Sequence, residues 1–279
     1  MICDPLKICA SEGIKVHSYK ILVERPEHLV AKVETANRPV VLKASTVPNH
    51  NAWDERNLKL FADAGLPVQK MLGRGEEPLS YIILSWIEGK PLRDTSPLEA
   101  QIAAGRLLHT IHHLEKRPLY DKDYGYDDWM KGWLNVALPW WGKQEGVSAS
   151  WIDNAWAGFD AIRPLLATRG HHHMLQDGRP EHFIVRDGKL VGLIDVHDGQ
   201  PGDGAMDLGV IGVFDGPLLQ NMLKGYEVDA VEQEKVDQMI PFYVFLRRLA
   251  AAEWHSNHGD LAIARRALEL ANANPYGRH

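Results

Sequence analysis

Apolar positions in the N-terminal third of the chain follow the pattern of short β-strands broken by turns. Three β-rich runs cover Ile14 to Leu22, Leu29 to Glu34 and Pro39 to Ala44. Apolar residues between 58 and 61 then recur at helical spacing, which predicts a helix over 54–64 that ends at Gly65. Two more apolar runs follow, near 68–72 and 81–87.

The remainder of the chain is predicted to be mostly helical around one β-hairpin. Helical patterns cover 96–113, 205–213, 216–224, 232–257 and 260–273. Two apolar runs separated by a turn predict the hairpin over 183–195. Strands followed by helices indicate an α+β protein with two lobes and a cleft between them. We place the domain boundary at the turn after residue 88, which separates residues 1–88 from 89–279.

Composition narrows the class of protein. The chain has 279 residues, is 45% hydrophobic and carries a formal net charge of -6, which argues against general nucleic-acid binding. No apolar run approaches the ~20 residues that span a bilayer, and the N-terminus lacks a signal-peptide pattern. We therefore expect a cytoplasmic protein that does not bind membranes. Cys3 and Cys9 are the only cysteines, which excludes a four-cysteine zinc site.

Acidic residues concentrate between residues 177 and 207, where seven acids face three bases. Asp177 lies on a constrained loop, His182 follows five residues later, and Asp195 ends the second strand of the hairpin. The hairpin is expected to return Asp195 to the same place as Asp177. Phosphoryl transfer needs such an arrangement, with one group that deprotonates a hydroxyl and others that hold magnesium against phosphates.

These residues also have structural interpretations. Asp177 fits a turn aspartate, Arg179 fits a loop cation paired with Glu181, and His182 fits a structural histidine. The functional interpretation of Arg179 is stabilisation of charge on the transferring phosphoryl group. Asp195 favours a functional role, because a carboxylate at the end of a buried strand is costly unless it is compensated.

Lys43 closes an apolar strand run, from which a lysine can reach phosphate oxygens; the alternative is a surface lysine. The acidic pair Asp54-Glu55 opens the next helix. A lysine held by a helix carboxylate is the pairing that kinases use to orient phosphates. Glu55 has the longer reach, whereas Asp54 fits the helix register slightly better. Helix capping is the alternative role for both acids.

Five motifs, in order along most of the chain, resemble those of the aminoglycoside phosphotransferase family, the small-molecule branch of the protein-kinase-like fold. They are Val40-Val41-Leu42-Lys43, the helix from Asp54/Glu55 to Gly65-Leu66-Pro67-Val68, the segment Ile83 to Leu92, Leu107-Leu108-His109-Thr110-Ile111-His112, and the block from Asp177 to Asp207. The resemblance implies a two-lobed α+β fold. An antiparallel sheet and one helix form the N-terminal lobe, and the C-terminal lobe is mostly helical.

The resemblance also implies roles for individual residues. The nucleotide-binding set contains Lys43, Glu55 (or Asp54) and the hinge residues Ser85, Trp86 and Ile87, whose backbone holds adenine in the family. The catalytic set contains Asp177 as the base, Arg179 facing the phosphates, His182 and Asp195 as ligands of Mg²⁺, and Asp207 bracing the catalytic loop.

The sequence therefore predicts an enzyme that moves the γ-phosphate of ATP or GTP to a hydroxyl of an aminoglycoside, macrolide, amino alcohol or similar small molecule. Two departures from the family motivate an alternative. Leu175-Gln176 replace the usual histidine-glycine before the base, and the first hairpin turn, 25–28, has no glycine. The alternative is a catalytically impaired pseudokinase or a nucleotide- or ligand-binding module. Transfer of a nucleotide instead of a phosphate is a third possibility.

Six tryptophans fall where the family builds its substrate-binding insert: Trp129, Trp133, Trp140, Trp141, Trp151 and Trp156. Their functional interpretation is an aromatic wall for an organic or cationic substrate, and their structural interpretation is packing between helices. Four acids, Asp127, Asp128, Glu253 and Asp260, are candidates for binding substrate amines.

Overall fold

The computed structural model describes residues 2–114 and 125–273. The described strands are β1 (Val16–Glu24), β2 (His28–Thr35), β3 (Val40–Ser45), β4 (Met71–Gly75), β5 (Ser80–Ser85), β6 (Lys90–Pro91), β7 (His172–Met174), β8 (Phe183–Arg186), β9 (Lys189–Leu193) and β10 (Gln200–Gly202). The described α-helices are α1 (Pro5–Ser11), α2 (Ala52–Asp63), α3 (Leu98–His112), α4 (Tyr126–Trp141), α5 (Ala149–Leu166), α6 (Ala205–Gly212), α7 (Gly216–Leu223), α8 (Ala230–Asn257) and α9 (Leu261–Ala273).

The described residues form two compact units, of which the first comprises the residues up to Leu92 together with Glu181–Gly199. Its main sheet has the strand order β1-β2-β3-β5-β4, and every neighbouring pair is antiparallel. The predicted strands and the helix predicted over 54–64 correspond to β1–β5 and α2. The predicted antiparallel sheet and the helix predicted over 54–64 are confirmed, and the structure adds a second helix, α1, to the one that was expected.

A short helix that the sequence analysis did not predict, α1, covers one face of this sheet. The Asp4 carboxylate caps it by accepting a hydrogen bond from the Leu6 N–H (3.0 Å), and Pro5 occupies its first turn. Ile8 and Cys9 are buried among residues of β2, β3 and β5. The cap and the proline are recognisable start signals, but seven residues are too few for a helical period to stand out.

The predicted hairpin corresponds to β8 and β9, and it belongs to the first unit. Asp187 and Gly188 make its turn in the left-handed region, with φ of 51° and 76°, as expected for an Asp-Gly hairpin turn. β6 extends the hairpin on the other edge of β8, and the Leu193 N–H donates to the Pro67 carbonyl (2.8 Å). The domain boundary at residue 88 stays a prediction, because these contacts do not test which residues fold independently.

The second unit comprises Arg93–Pro180 and the residues from Gln200 onward, and it is mostly helical, as predicted. Helices α4 and α5 occupy the tryptophan-rich segment. Trp141 is fully buried and meets Phe245 edge-on at 5.1 Å between ring centroids. Packing between helices is therefore the role of Trp141. No described helix is both long and apolar enough to cross a bilayer.

A buried ionic network stabilises the second unit. The Arg169 guanidinium lies 2.6 Å from Asp203 Oδ1 and also pairs with Glu232. The Tyr243 hydroxyl donates to the other oxygen of Asp203 at 2.5 Å. Asp203 is fully buried, so these donors compensate a charge that would be costly if it were left alone.

Candidate active site

Lys43 projects from the sheet on the face opposite α1. Its neighbours in β3, Leu42 and Ala44, belong to the core that α1 covers. Because side chains alternate along a strand, Lys43 points to the other face. There its ammonium group meets two carboxylates: Nζ lies 2.9 Å from Asp54 Oδ1 in α2 and 2.7 Å from Asp195 Oδ1 after β9.

The structure thus selects Asp54 as the helix carboxylate that holds Lys43. Asp54 is buried, at 1% exposure, whereas Glu55 turns away and pairs with Arg74 at 3.0 Å. Register decides the outcome, because Asp54 shares the buried face of α2 with Leu58 and Phe61. The longer side chain of Glu55 starts from the wrong side of the helix.

The charges in this cluster stabilise one another. Burial alone would lower the pKa of Lys43, but the carboxylates of Asp195 and Asp54 outweigh it and raise that pKa above its ordinary value. Burial would likewise raise the pKa of Asp54, but Lys43 and a hydrogen bond from His197 outweigh it and lower that pKa. Lys43 is therefore a cation and Asp54 an anion at neutral pH.

His182 and Asp195, the two predicted metal ligands, are neighbours within the first unit. His182 Nε2 lies 3.6 Å from Asp195 Oδ2, whereas Lys43 Nζ lies 2.7 Å from Asp195 Oδ1. The described residues contain no group of three or more His, Cys, Asp or Glu side chains arranged to hold a metal. The Asp195 carboxylate fits a cation that takes most of its ligands from phosphates and water, as Mg²⁺ does, whereas the imidazole nitrogen of His182 is a softer donor beside it.

Three histidines that the sequence analysis did not single out form a row of neighbouring rings that ends at Asp54. The His50 ring stacks on His197 at 4.3 Å and lies 4.5 Å from His28. His197 Nδ1 is 2.8 Å from Asp54 Oδ2, and this bond raises the pKa of His197 although burial opposes it. Burial and the neighbouring His197 and His28 lower the pKa of His50 to about 4.

The segment after Asp195 is fixed by a second residue of α2. The Asn57 side-chain amide donates to the carbonyls of Val196 (2.7 Å) and Gly199 (3.0 Å). Asn57 is fully buried, and it lies three residues after Asp54 on the same helix face. A polar residue at a core position of an amphipathic helix is the sequence signal that would have identified it.

The hinge residues lie at the end of β5 and just beyond it, in the first unit. The Ser85 N–H donates to the Lys70 carbonyl (2.8 Å), and Ser85 Oγ accepts from the Lys70 N–H (2.9 Å). The Trp86 indole N–H donates to Glu88 (2.9 Å). Ile87 lies against Gly192 of β9, where a Cβ would come within 2.6 Å of the Ile87 side chain. The end of β5 is therefore fixed by hydrogen bonds to the backbone of Lys70 and by the packing of Ile87 against β9.

Asp177, the predicted base, lies in the second unit between two guanidinium groups. Arg179 Nε is 3.1 Å from Asp177 Oδ2, and Arg247 of α8 places Nη2 3.7 Å from Asp177 Oδ1. The Asp177 N–H donates to the Leu175 carbonyl and the Arg179 N–H to the Asp177 carbonyl, both at 2.8 Å. Arg247 was not found by sequence reasoning, because it lies 70 residues away in a long helix.

Asp207 holds the backbone that precedes Asp177. Its two carboxylate oxygens accept from the N–H groups of Leu175 (2.6 Å) and Gln176 (2.8 Å). Gln176 adopts φ of 64°, a left-handed conformation that is uncommon for glutamine. Such a conformation persists only where the surroundings enforce it, and the Asp207 bonds do so here.

Asp207 is oriented in turn by His112 and Tyr226, all of them buried. His112 Nε2 lies 3.0 Å from Asp207 Oδ2, and His112 Nδ1 lies 2.8 Å from the Tyr226 hydroxyl. Burial lowers the pKa of His112, although Asp207 opposes this, so the ring is neutral. The Nε2–H then donates to Asp207, and Nδ1 accepts from Tyr226. This chain of hydrogen bonds orients the Asp207 carboxylate.

The predicted site residues thus form two sets, one in each unit. Lys43, His182 and Asp195 come together in the first unit, with Asp54 in place of Glu55. Asp177, Arg179 and Asp207 belong to one loop region of the second unit. The expected convergence of Asp177 with Asp195 stays a prediction.

Comparison with protein families found one match that covers most of the chain. The model of a family described as "Phosphotransferase enzyme family" (APH) matches residues 27–239. No curated protein sequence was found to be similar to the chain.

Comparison with solved structures found enzymes of the same fold. Aminoglycoside phosphotransferase APH(4)-Ia is 16% identical, with a TM-score of 0.70 over 97% of this chain and 98% of that one. The streptomycin–ATP complex of APH(2")-IIa is 13% identical, with a TM-score of 0.65 over 100% of both chains. Macrolide 2'-phosphotransferase MphH from Brachybacterium faecium is 16% identical, with a TM-score of 0.63 over 98% of both. The predicted fold class is confirmed.

Proposed function

Because the chain belongs to the phosphotransferase enzyme family, we propose that it transfers the γ-phosphate of ATP to a hydroxyl group of a small molecule. The predicted family and the predicted enzyme class, a small-molecule kinase, are confirmed by that membership. The observation that carries the proposal further is the bridge that Lys43 makes between Asp54 and Asp195. This is the lysine–carboxylate pairing that phosphoryl-transfer enzymes use to orient phosphates.

In this proposal the first unit binds the nucleotide. Lys43 contacts the phosphate oxygens, and Asp54 keeps its ammonium group in place. Asp195 and His182 hold magnesium, which neutralises phosphate charge when it is bound. The backbone that binds the adenine ring is provided by Ser85, Trp86 and Ile87.

The second unit supplies the groups that act on the acceptor. The oxygen of the acceptor hydroxyl attacks the γ-phosphorus, and the bond between that phosphorus and the bridging oxygen of ADP breaks. Asp177 accepts the proton that the hydroxyl loses. Arg179 stabilises charge on the transferring group. Asp207 keeps the loop in shape through the N–H groups of Leu175 and Gln176.

ATP is the favoured donor among the two nucleotides that the sequence suggested. The structures of APH(4)-Ia include ternary complexes with ADP or AMP-PNP and hygromycin B, and that of APH(2")-IIa contains ATP. These adenine nucleotides belong to proteins of the same fold, and they motivate the choice of ATP here.

The alternative, a nucleotide- or ligand-binding module without turnover, has one specific observation in its favour. The β1–β2 turn is closed by backbone bonds between Arg25 and His28 (2.8 and 3.3 Å) and contains no glycine, so its amides are poorly placed to wrap phosphates. Against it, the departure at Leu175-Gln176 leaves both N–H groups bound to Asp207. We therefore favour the active enzyme.

The decisive experiment compares Asp177→Asn with Asp187→Asn in a γ-phosphate transfer assay. Asp187 is an exposed turn residue in a left-handed conformation that asparagine also adopts, so it is a matched control. Acceptors span aminoglycosides, macrolides, amino alcohols and sugar derivatives. We expect Asp177→Asn to lose roughly 10²- to 10⁴-fold in turnover with ATP binding retained, and the control to match wild type.

Three other outcomes would change the proposal. Equal turnover by Asp177→Asn and wild type would remove Asp177 from the role of base. Magnesium-dependent stabilisation by ATP without transfer to any acceptor would favour the binding module; saturation at 100 times Kd adds about 2.7 kcal/mol. A nucleotide on the acceptor, detected by mass spectrometry, would identify nucleotidyl transfer.

A further inference from the structure

The surroundings of Asp177 carry information about the acceptor. We propose that the acceptor has an anionic group that Arg247 binds and a ring or apolar body that lies on Trp129 and Trp133. The inference rests on the proposed function, in which Asp177 receives the proton of the acceptor hydroxyl. All the residues that carry it belong to the second unit.

The charge around the base is positive. Arg179 and Arg247 both contact the single carboxylate of Asp177, at 3.1 and 3.7 Å. An acceptor with a protonated amine near its reacting hydroxyl would meet two guanidinium groups there. An acceptor with a carboxylate or phosphate would instead be attracted, and arginine can bind such a group with two parallel N–H donors.

An aromatic surface continues from Arg247. The Arg247 guanidinium lies over the Trp133 ring, 5.7 Å from its centroid. The ring centroids of Trp133 and Trp129 are 5.2 Å apart. Trp129 stacks on the buried Tyr126, with 5.3 Å between their ring centroids. Trp129 and Trp133 are only half-buried, unlike Trp141 of the same helix. Their exposed ring surface fits a sugar ring or an aromatic group.

Most of the acids that were candidates for binding a cationic acceptor already pair with other residues. Asp127 and Asp128 directly precede Trp129, but they pair with Arg163 at 2.8 and 3.3 Å. Asp260 lies 3.2 Å from the His255 ring. Three of the four acids that the sequence suggested for substrate amines therefore have other partners. Charge complementarity favours an anionic acceptor over a polycationic one.

A matched set of ligands tests the inference. Phenyl glucosaminide, phenyl glucoside and phenyl glucuronide share a phenyl group and sugar hydroxyls but carry a positive, a zero and a negative charge. Their affinities are measured by titration calorimetry on the protein saturated with Mg²⁺ and AMP-PNP. We expect the glucuronide to bind at least tenfold more tightly than the glucosaminide, because hydrogen bonds to charged groups contribute roughly that much.

Variants of Arg247 test whether this residue causes the preference for the anionic compound. Arg247→Gln should weaken glucuronide binding about tenfold, keep or increase glucosaminide affinity and leave AMP-PNP affinity within about twofold, and Arg247→Lys should recover part of the loss. Arg106→Gln is the matched control, because Arg106 is an exposed arginine of the same unit that pairs with Glu99 at 2.9 Å. It should leave all the affinities unchanged.

Several outcomes would overturn the inference. They are tighter binding of the glucosaminide than of the glucuronide, a change below twofold in Arg247→Gln, and no binding by any of the three compounds. None of these touches the proposed function, which fails separately if AMP-PNP does not bind in the presence of Mg²⁺ or if no acceptor is phosphorylated in an Asp177-dependent manner.

Discussion

Asp54 and Glu55 are adjacent acids at the start of one helix, and only one of them holds Lys43. Asp54 faces the sheet, is buried, and forms bonds to Lys43 (2.9 Å) and His197 (2.8 Å). Glu55 lies about 100° further round the helix and binds Arg74 instead. A shift of one position along the helix thus separates the carboxylate that holds Lys43 from one that forms a surface ion pair.

The adjacent pair provides a test with a built-in control. Asp54→Asn should lower kcat/KM for ATP by roughly 10- to 100-fold, because the ammonium group of Lys43 loses a charged partner worth about 1.5–3 kcal/mol. Glu55→Gln should change it by less than about threefold, since exposed ion pairs contribute little. Steady-state kinetics over a range of ATP concentrations gives both values. A larger loss in Glu55→Gln than in Asp54→Asn would contradict the assignment.

At the scale of elements, the loop that carries Asp177 is positioned by parts of the chain far from it. Asp207 in α6 binds the loop backbone, His112 at the end of α3 binds Asp207, and Tyr226 binds His112. Gly204, just before α6, makes room for this arrangement, because a Cβ there would lie 2.2 Å from His112 Nδ1. The helix ends therefore meet at the loop and hold it.

Gly204→Ala tests that arrangement. Gly204 has an ordinary helical φ of -56°, so the methyl group causes a steric clash and not backbone strain. We expect a loss of roughly 1–3 kcal/mol in the free energy of unfolding and a fall in kcat, because His112 is displaced from Asp207. Urea unfolding and steady-state kinetics measure the two effects.

Gly216→Ala is the control for this substitution. Gly216 opens α7, and an added Cβ there has no atom within 4 Å. It should leave kcat unchanged and keep or slightly increase stability. If Gly204→Ala behaved in the same way, His112 would not be held as tightly as its bonds to Asp207 and Tyr226 indicate.

At the scale of the whole molecule, stability depends on charges buried in the second unit. Burial alone would raise the pKa of the Asp203 carboxyl, but the charge of Arg169 and the hydrogen bonds from Arg169 and Tyr243 outweigh it and lower that pKa below its ordinary range. The unfolded chain therefore binds a proton more readily than the folded one below the usual aspartate pKa of about 3.9. This contribution is fully present above that pH and declines as the pH falls below it.

Acid unfolding of wild type and Asp203→Asn checks the sign of this dependence. At pH 7 the variant should be less stable by roughly 3–5 kcal/mol, because it leaves Arg169 without its buried counter-charge. The difference should shrink as the pH falls from about 4 to 3. Urea unfolding at pH 7, 5, 4 and 3 measures it. A difference that stayed constant across this range would show that Asp203 is not held as an anion.

Much of this protein is determined by the sequence alone. The strands β1–β5, the hairpin and the main helices follow from hydrophobic period and turn residues, which act over a few positions along the chain. The order of the motifs was enough to identify the family. The identities of Lys43, Asp177 and Asp195 as chemical groups of interest also follow from their places at strand ends and on a loop.

The tertiary structure decided which of these residues contact one another. Lys43 and Asp195 are 152 positions apart, His112 and Asp207 are 95 apart, and Arg247 is 70 positions from Asp177. No local pattern relates such residues, because their contact depends on helix rotation and packing. The left-handed backbone at Gln176 is enforced by the bonds to Asp207 and not by the preferences of glutamine. Local periodicity therefore set the helices and strands, and long-range packing selected which side chains contact Lys43, Asp177 and Asp207.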